Sequence, residues 1–150
     1  MERRAIDLLP HPEGGRFREV YRSPKNVQPM DGDTRSALTH IYFQLRSGEV
    51  SRFHRVTHDE VWNLYQGSNL RLWIMDPETH SIERIDLSPA TQTFCAVVPA
   101  GFWQAAEALE NDVLVGCSVA PGFDFEDFEL ITSDHPEAEI FRKHQLDHLV

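Results

Sequence analysis

Short runs of alternating apolar and polar residues, each broken by a turn signal, constrain this chain more than any other feature. In the run 39–45, Ile41, Phe43 and Leu45 share one face; Leu70, Leu72 and Ile74 do so in 70–75, and Val113, Val115, Cys117 and Val119 in 113–119. Further strand-like runs cover 16–22, 50–54, 60–66, 82–87, 93–98 and 102–107. Between them stand Ser47-Gly48, Gly67-Ser68-Asn69, Asp76-Pro77, Ser88-Pro89, Pro99-Ala100-Gly101 and Glu110-Asn111-Asp112. Many short strands at such spacing predict an all-β sandwich or barrel, and a two-sheet jelly roll hides most of the strand edges. Helical signals are confined to a short start at 2–8 and a tail at 137–144, where Pro136 suits a helix start.

The 150 residues contain no repeat, linker or low-complexity stretch, so a single domain over 1–150 is expected. A chain of this length buries one core without disulfide staples, and Cys95 and Cys117, both in apolar runs, read as buried thiols. Lys plus Arg number 14 and Asp plus Glu 24, a formal charge of −10. That balance argues against a broad nucleic-acid-binding face and against docking on anionic lipid, since both need clustered basic residues. No window approaches 18 apolar residues and the N-terminus lacks an apolar signal core, so no membrane partner and a cytoplasmic location are expected.

The chemistry concentrates between Gly48 and Gly67. One strand carries His54, a turn follows, and the next strand opens with Glu60. If the two strands form a hairpin, residues flanking the turn are neighbours roughly 5 Å apart, which brings an imidazole and a carboxylate together. Such a pair serves acid–base chemistry or ligates a metal. By alternation Trp62 shares the inward face of Glu60, and Arg52 shares that of His54, where it would grip a carboxylate or phosphate. Arg55 should point outward. Tyr42 and Tyr65, on candidate barrel strands, are the candidate proton donors and substrate contacts. The run Phe123–Glu129, in which aromatic and acidic residues alternate, reads as an edge strand or packed loop suited to closing a barrel mouth or to a subunit contact, and equally as a solvated carboxylate face. His144 and His148 stand four apart, a zinc-compatible spacing that more simply marks a frayed terminal helix.

Gly48, His54, Glu60 and Gly67 fall on the first cupin motif, G-x5-H-x-H-x3,4-E-x6-G, with Val56 in place of its second histidine. Pro99 and Gly101 match the second motif, where Gln104 replaces the metal-binding histidine, Thr93 the first glycine and Ala108 the asparagine. His11-Pro12-Glu13-Gly14-Gly15, Phe53-His54-Arg55, Asp59-Glu60-Val61-Trp62, Val98-Pro99-Ala100-Gly101-Phe102-Trp103-Gln104 and Ala120-Pro121-Gly122-Phe123-Asp124-Phe125 follow in that order. With these motifs, over residues 6 to 131, the chain resembles the fifth cupin domain family. The family consists of small proteins similar in fold to the sugar-nucleotide 3,5-epimerase.

The resemblance implies a double-stranded β-helix, the cupin jelly-roll barrel, with short terminal helices, and a homodimer paired through sheets or swapped strands. It also implies a pocket or interface role for Glu13, which composition and spacing do not reveal. Three functional classes follow. The first is a metal-independent isomerase or epimerase acting on a sugar or sugar nucleotide, with His54 as base, Glu60 orienting it, and Arg52, Trp62, Gln104, Tyr42 and Tyr65 contacting substrate. The second is a non-catalytic module binding a small-molecule ligand through the same residues. The third is a metal-dependent enzyme in which His54, Glu60 and Gln104 would hold a divalent transition metal, a ligand set thinned by Val56 and Gln104. Fold alone does not choose among them.

Overall fold

The computed structural model describes residues 6–150. Its strands are β1 (Leu9–Pro10), β2 (Arg16–Arg22), β3 (Asn26–Val27), β4 (Arg35–Ser36), β5 (Thr39–Leu45), β6 (Val50–Val56), β7 (Asp59–Gln66), β8 (Leu70–Met75), β9 (Ile82–Leu87), β10 (Cys95–Val98), β11 (Trp103–Ala108), β12 (Val113–Ala120) and β13 (Phe128–Leu130). They form a six-stranded sheet, ordered β1-β2-β5-β12-β7-β10, and a five-stranded sheet, ordered β13-β6-β11-β8-β9, with β3 and β4 as a separate small hairpin. All pairings are antiparallel. The two sheets face each other as a jelly-roll barrel.

The alternation seen in the sequence fills the space between them. Phe43, Leu64 and Val115 from the six-stranded sheet meet Leu72, Leu87 and Ala106 from the five-stranded one in a single buried cluster. This core occupies one end of the barrel, and the other end is left to the cavity described below.

One helix, α1 (Pro136–Lys143), follows the last strand, with Pro136 in its first turn, Glu137 and Glu139 near its N-terminus, and Arg142 and Lys143 at its C-terminus. Those charges complement the helix dipole. The helix packs on the outer face of the five-stranded sheet. There the Phe141 ring stacks on Phe53 at 3.6 Å between centroids, and Trp103, Leu146 and Leu149 complete a second buried cluster. Of the helical start expected at 2–8, residues 1–5 lie outside those described, and 6–8 are not helical. No helix among the described residues is long and apolar enough to cross a membrane.

Two local features shape the site. The corner between β6 and β7 has only Thr57 and His58 outside the strands, yet it carries the chain from one sheet to the other. Bonds from Gly101 N–H to the Val56 carbonyl (2.9 Å) and from Ala100 N–H to Asp59 Oδ1 (2.8 Å) hold this corner. The second feature is a β-bulge in β6. Gln104 pairs with His54 and Ala106 with Ser51, so Arg52 and Phe53 together oppose Ala105.

The expected buried thiol at position 95 is exposed, whereas Cys117 is buried as expected. Cys95 lies on an edge strand of the six-stranded sheet with its side chain on the outer face. Because Phe141 is fully buried against Phe53, Phe141→Ala should destabilise the domain by about 3–5 kcal/mol, read as a lowered urea midpoint with little change in slope.

Candidate functional site

His54 and Glu60 enter the same cavity, but from opposite sides. The sequence spacing predicts them as hairpin neighbours. The corner instead places β6 in the five-stranded sheet and β7 in the six-stranded sheet, so the two side chains face one another across the barrel. Their sheet neighbours are Gln104 and Leu130 for His54, and Val98 and Val119 for Glu60.

The direct partner of His54 is Glu13. His54 Nε2 lies 3.0 Å from Glu13 Oε2, and both side chains are almost wholly shielded from solvent. On its other side, His54 Nδ1 lies 2.7 Å from the Arg52 carbonyl oxygen. A carbonyl only accepts, so Nδ1 carries a proton. Burial opposes the imidazolium, yet the Glu13 carboxylate, joined by the Glu60 charge and the Arg52 carbonyl, outweighs that penalty and raises the His54 pKa above its ordinary value. Burial likewise opposes the Glu13 carboxylate, and the His54 charge and hydrogen bond overcome it, so its pKa falls below the usual range. The two groups therefore form a buried ion pair.

The turn His11-Pro12-Glu13-Gly14-Gly15 delivers Glu13. Gly14 and Gly15 have φ of +116° and +68°, and a Cβ at Gly14 would overlap the Val50 carbonyl oxygen while one at Gly15 would meet the Gln44 carbonyl oxygen at 2.7 Å. Only glycine lets this turn press against the strands. In that position the Glu13 carbonyl accepts the Arg52 N–H at 2.8 Å, so the backbone at the β6 bulge anchors the acidic loop. His11 Nδ1 accepts the Glu13 N–H at 3.2 Å, and burial lowers its pKa, so His11 is neutral.

Across the cavity Glu60 has a different environment. Gln104 Nε2 donates to Glu60 Oε1 at 2.8 Å, and Gln104 Oε1 accepts from Trp62 Nε1 at 2.7 Å. Burial, with no direct cationic partner, pushes the Glu60 pKa up to about 7. The Cys117 thiol lies beside it and is pushed well up, again mainly by burial, so it remains a thiol.

The cavity measures about 250 Å³. Its walls are aromatic and aliphatic, with Phe17, Phe43, Trp62, Phe123, Phe125 and Phe128 contributing rings. The last three come from the run Phe123–Glu129, which forms a 3-10 turn at Phe125–Asp127 and then β13, the edge strand beside β6. A bidentate Arg35–Asp127 pair at 2.9 and 3.1 Å holds that segment in place.

Other expected site residues lie elsewhere. The bulge spoils the parity that would have set Arg52 beside His54; Ser51 is buried instead, and the Arg52 guanidinium bonds the Pro12 carbonyl at 3.1 Å, off the cavity wall. Tyr42 and Tyr65 sit on the outer face of the six-stranded sheet, where Tyr65 covers Gly116 and its hydroxyl meets His40 Nε2 at 2.9 Å. The strand pattern held this information, since Tyr42 is out of phase with Ile41 and Phe43, and Tyr65 with Trp62 and Leu64. Trp62 does line the cavity, and Gln104 sits behind it as the bridge between Trp62 and Glu60. Arg55 points outward as expected, over Trp103 and 2.7 Å from Glu129. His144 and His148 do not converge: His148 bonds Glu107 at 2.6 Å and His144 the Ile140 carbonyl at 2.9 Å.

The expected metal set of His54, Glu60 and Gln104 does not fit an ion. The Gln104 oxygen is taken by Trp62, His54 Nε2 is turned to Glu13, and Val56 has no donor. Among the described residues no group of three or more His, Cys, Asp and Glu side chains is placed to share one metal.

The Glu60 shift has a consequence for stability. Its pKa in the folded state lies above the unfolded value of 4.5, so the folded chain binds the extra proton and loses stability as pH rises from 4.5 through about 7. At 1.36 kcal/mol per pKa unit the loss is on the order of 3 kcal/mol. Glu60→Gln removes that titration, so its thermal midpoint should fall less than the wild type's between pH 5 and pH 8.

The comparisons with known proteins agree with this architecture. The chain is 28% identical to the uncharacterized protein YML079W of Saccharomyces cerevisiae over 144 residues, covering 85% of this chain and 72% of the yeast protein. Among solved structures it resembles protein SO0799 from Shewanella oneidensis, with TM-score 0.81, 34% identity, and coverage of 95% of this chain and 89% of that one. A hypothetical protein from Leishmania major gives TM-score 0.80 and 30% identity, covering 92% of this chain and 89% of the other. Oxalate decarboxylase from Bacillus subtilis, at TM-score 0.63 and 17% identity over 91% of this chain and 34% of its own, shares the fold. The model of the family Cupin_5, cupin superfamily (DUF985), matches residues 4–131, and the chain belongs to that family.

Proposed function

We propose that this protein binds a small organic molecule inside the barrel and moves a proton on it, as a metal-independent isomerase or epimerase acting beside a carbonyl group. One observation carries this reading. Two proton-bearing groups in opposite electrostatic settings, the Glu13-paired His54 and the desolvated Glu60, reach one cavity from facing sheets. A molecule held between them meets a positive charge on one side and a base on the other.

The setting of each group suggests its role. His54 as an imidazolium, its two N–H groups held by Glu13 and the Arg52 carbonyl, stabilises by its charge the negative oxygen that develops on a carbonyl in the cavity. Glu60 in its ionised form takes the proton from the neighbouring carbon and can return it. This exchanges the roles expected from sequence, in which His54 was the base. Activity then needs Glu60 ionised and His54 protonated, so the rate should rise through about pH 7 and fall once His54 loses its proton. One oxalate decarboxylase relative of similar fold is described with Mn(II) centres. The reading here routes no step through a metal, because this chain's donors do not converge on one.

A second reading, a non-catalytic binding module, is favoured by the internal partners of both groups. Glu13 satisfies His54 and Gln104 satisfies Glu60 with no ligand required.

Solvent-deuterium exchange, followed by NMR over a panel of small carbonyl compounds, separates the two readings. Proton-transfer activity predicts exchange at a carbon next to the carbonyl, lost by at least a hundredfold in Glu60→Gln while ligand binding persists. Binding of a panel member without any exchange would leave the binding module. Exchange that survives Glu60→Gln would remove Glu60 as the base.

A further inference from the structure

The lining of the cavity restricts what can enter it. Resting on the assignment of this cavity as the binding site, we propose that its ligand is a compact, uncharged molecule with one flat ring or similarly rigid apolar body and a carbonyl or hydroxyl at one end, and not a sugar nucleotide or other anion.

Size is the first argument. A void of about 150 Å³ lined by apolar side chains accommodates benzene, and pockets for drug-sized ligands start near 300 Å³. At about 250 Å³ this cavity suits one substituted ring. A nucleoside diphosphate joined to a sugar would have to leave most of itself outside.

Charge is the second. Among the described lining residues four carboxylates, Glu13, Glu19, Glu60 and Asp124, stand against a single arginine, Arg22. That arginine is already committed, with Nη2 at 2.6 Å from Glu19 Oε1 and 3.0 Å from the Phe123 carbonyl. The imidazolium of His54 is likewise engaged, 3.0 Å from Glu13. A phosphate or carboxylate entering here meets acidic groups and one guanidinium already paired with Glu19, although anion recognition depends on charge-assisted donors. A cationic ligand gains little more, because Glu13 is neutralised by His54 and Glu60 retains its proton over much of the neutral range.

The walls supply the third argument. Aromatic rings surround the space in edge-to-face arrangements, including Phe43 with Trp62 at 5.8 Å and Phe123 with Phe125 at 4.9 Å between centroids. Such surfaces hold a flat ring by stacking and edge contacts. The Glu60 carboxyl, of which Gln104 engages one oxygen, is left for the oxygen of the ligand.

The test uses the full chain at pH 7 and four probes in calorimetric and NMR titrations: benzamide, benzoate, benzylammonium and UDP-glucose. Benzamide should perturb the resonances of Trp62 and Phe128 and bind at least tenfold more tightly than benzoate or benzylammonium, and UDP-glucose should leave the cavity resonances unmoved. Phe125→Ala, at a half-exposed position, should weaken benzamide severalfold with an unchanged thermal midpoint. Tighter binding of any charged probe, or no cavity binding of benzamide, overturns the proposal. Failure here is separable from failure of the proton-transfer reading. Deuterium exchange on an anionic substrate would keep the chemistry and reject this ligand class, whereas neutral-ring binding without exchange anywhere would do the reverse.

Discussion

A carboxylate and an imidazole buried out of reach of water are costly unless they meet each other. In this protein the 3.0 Å contact between Glu13 and His54 satisfies both. Leaving either ion buried alone would cost several kcal/mol. Much of the local architecture serves that contact. Two glycines let the Glu13 turn lie against the strands, a bulge in β6 frees the Arg52 N–H to anchor that turn, and the Arg52 carbonyl accepts from Nδ1 and fixes the orientation of the His54 ring.

The second acidic group has the contrary environment, and the contrast gives the cavity its chemical character. Glu13 is held ionised by a cation, whereas Glu60 has only an amide donor and a thiol beside it, so burial dominates. Two carboxyl groups of the same intrinsic acidity are thereby driven apart in pKa inside one small space. The bridge from Glu60 through Gln104 to Trp62 also ties the acid to the aromatic wall, so the orientation of the carboxyl and the shape of the cavity are set together. On the far side of the five-stranded sheet, the stack of Phe141 on Phe53 backs the strand that carries His54.

The runs 39–45 and 70–75 were legible because each buries one face, and alternation records that directly; these spans, with 16–22 and 82–87, match the strands residue for residue. Pairing was less legible. His54 and Glu60 are close in sequence, and a two-residue connection ordinarily closes a hairpin; nothing local signals that β6 and β7 part into different sheets. The bulge at Arg52 and Phe53 was equally silent, because both residues fit a strand. Parity could have placed Tyr42 and Tyr65 outside, since their neighbours point inward. Glu13 lies in a glycine-rich turn far from His54 along the chain, and only the family resemblance pointed to it. The run Phe123–Glu129 was legible as an edge element; its aromatic residues line the cavity.

The chemistry of the cavity depends on the protonation of one ring. The most direct test is a ¹⁵N NMR titration of the His54 imidazole in the wild type and in Glu13→Gln. The ring should titrate above the ordinary 6.5 in the wild type, with a pKa that falls when Glu13 loses its charge. A His54 pKa at or below 6.5, or one indifferent to Glu13→Gln, would contradict the ion pair on which the cavity's chemistry depends.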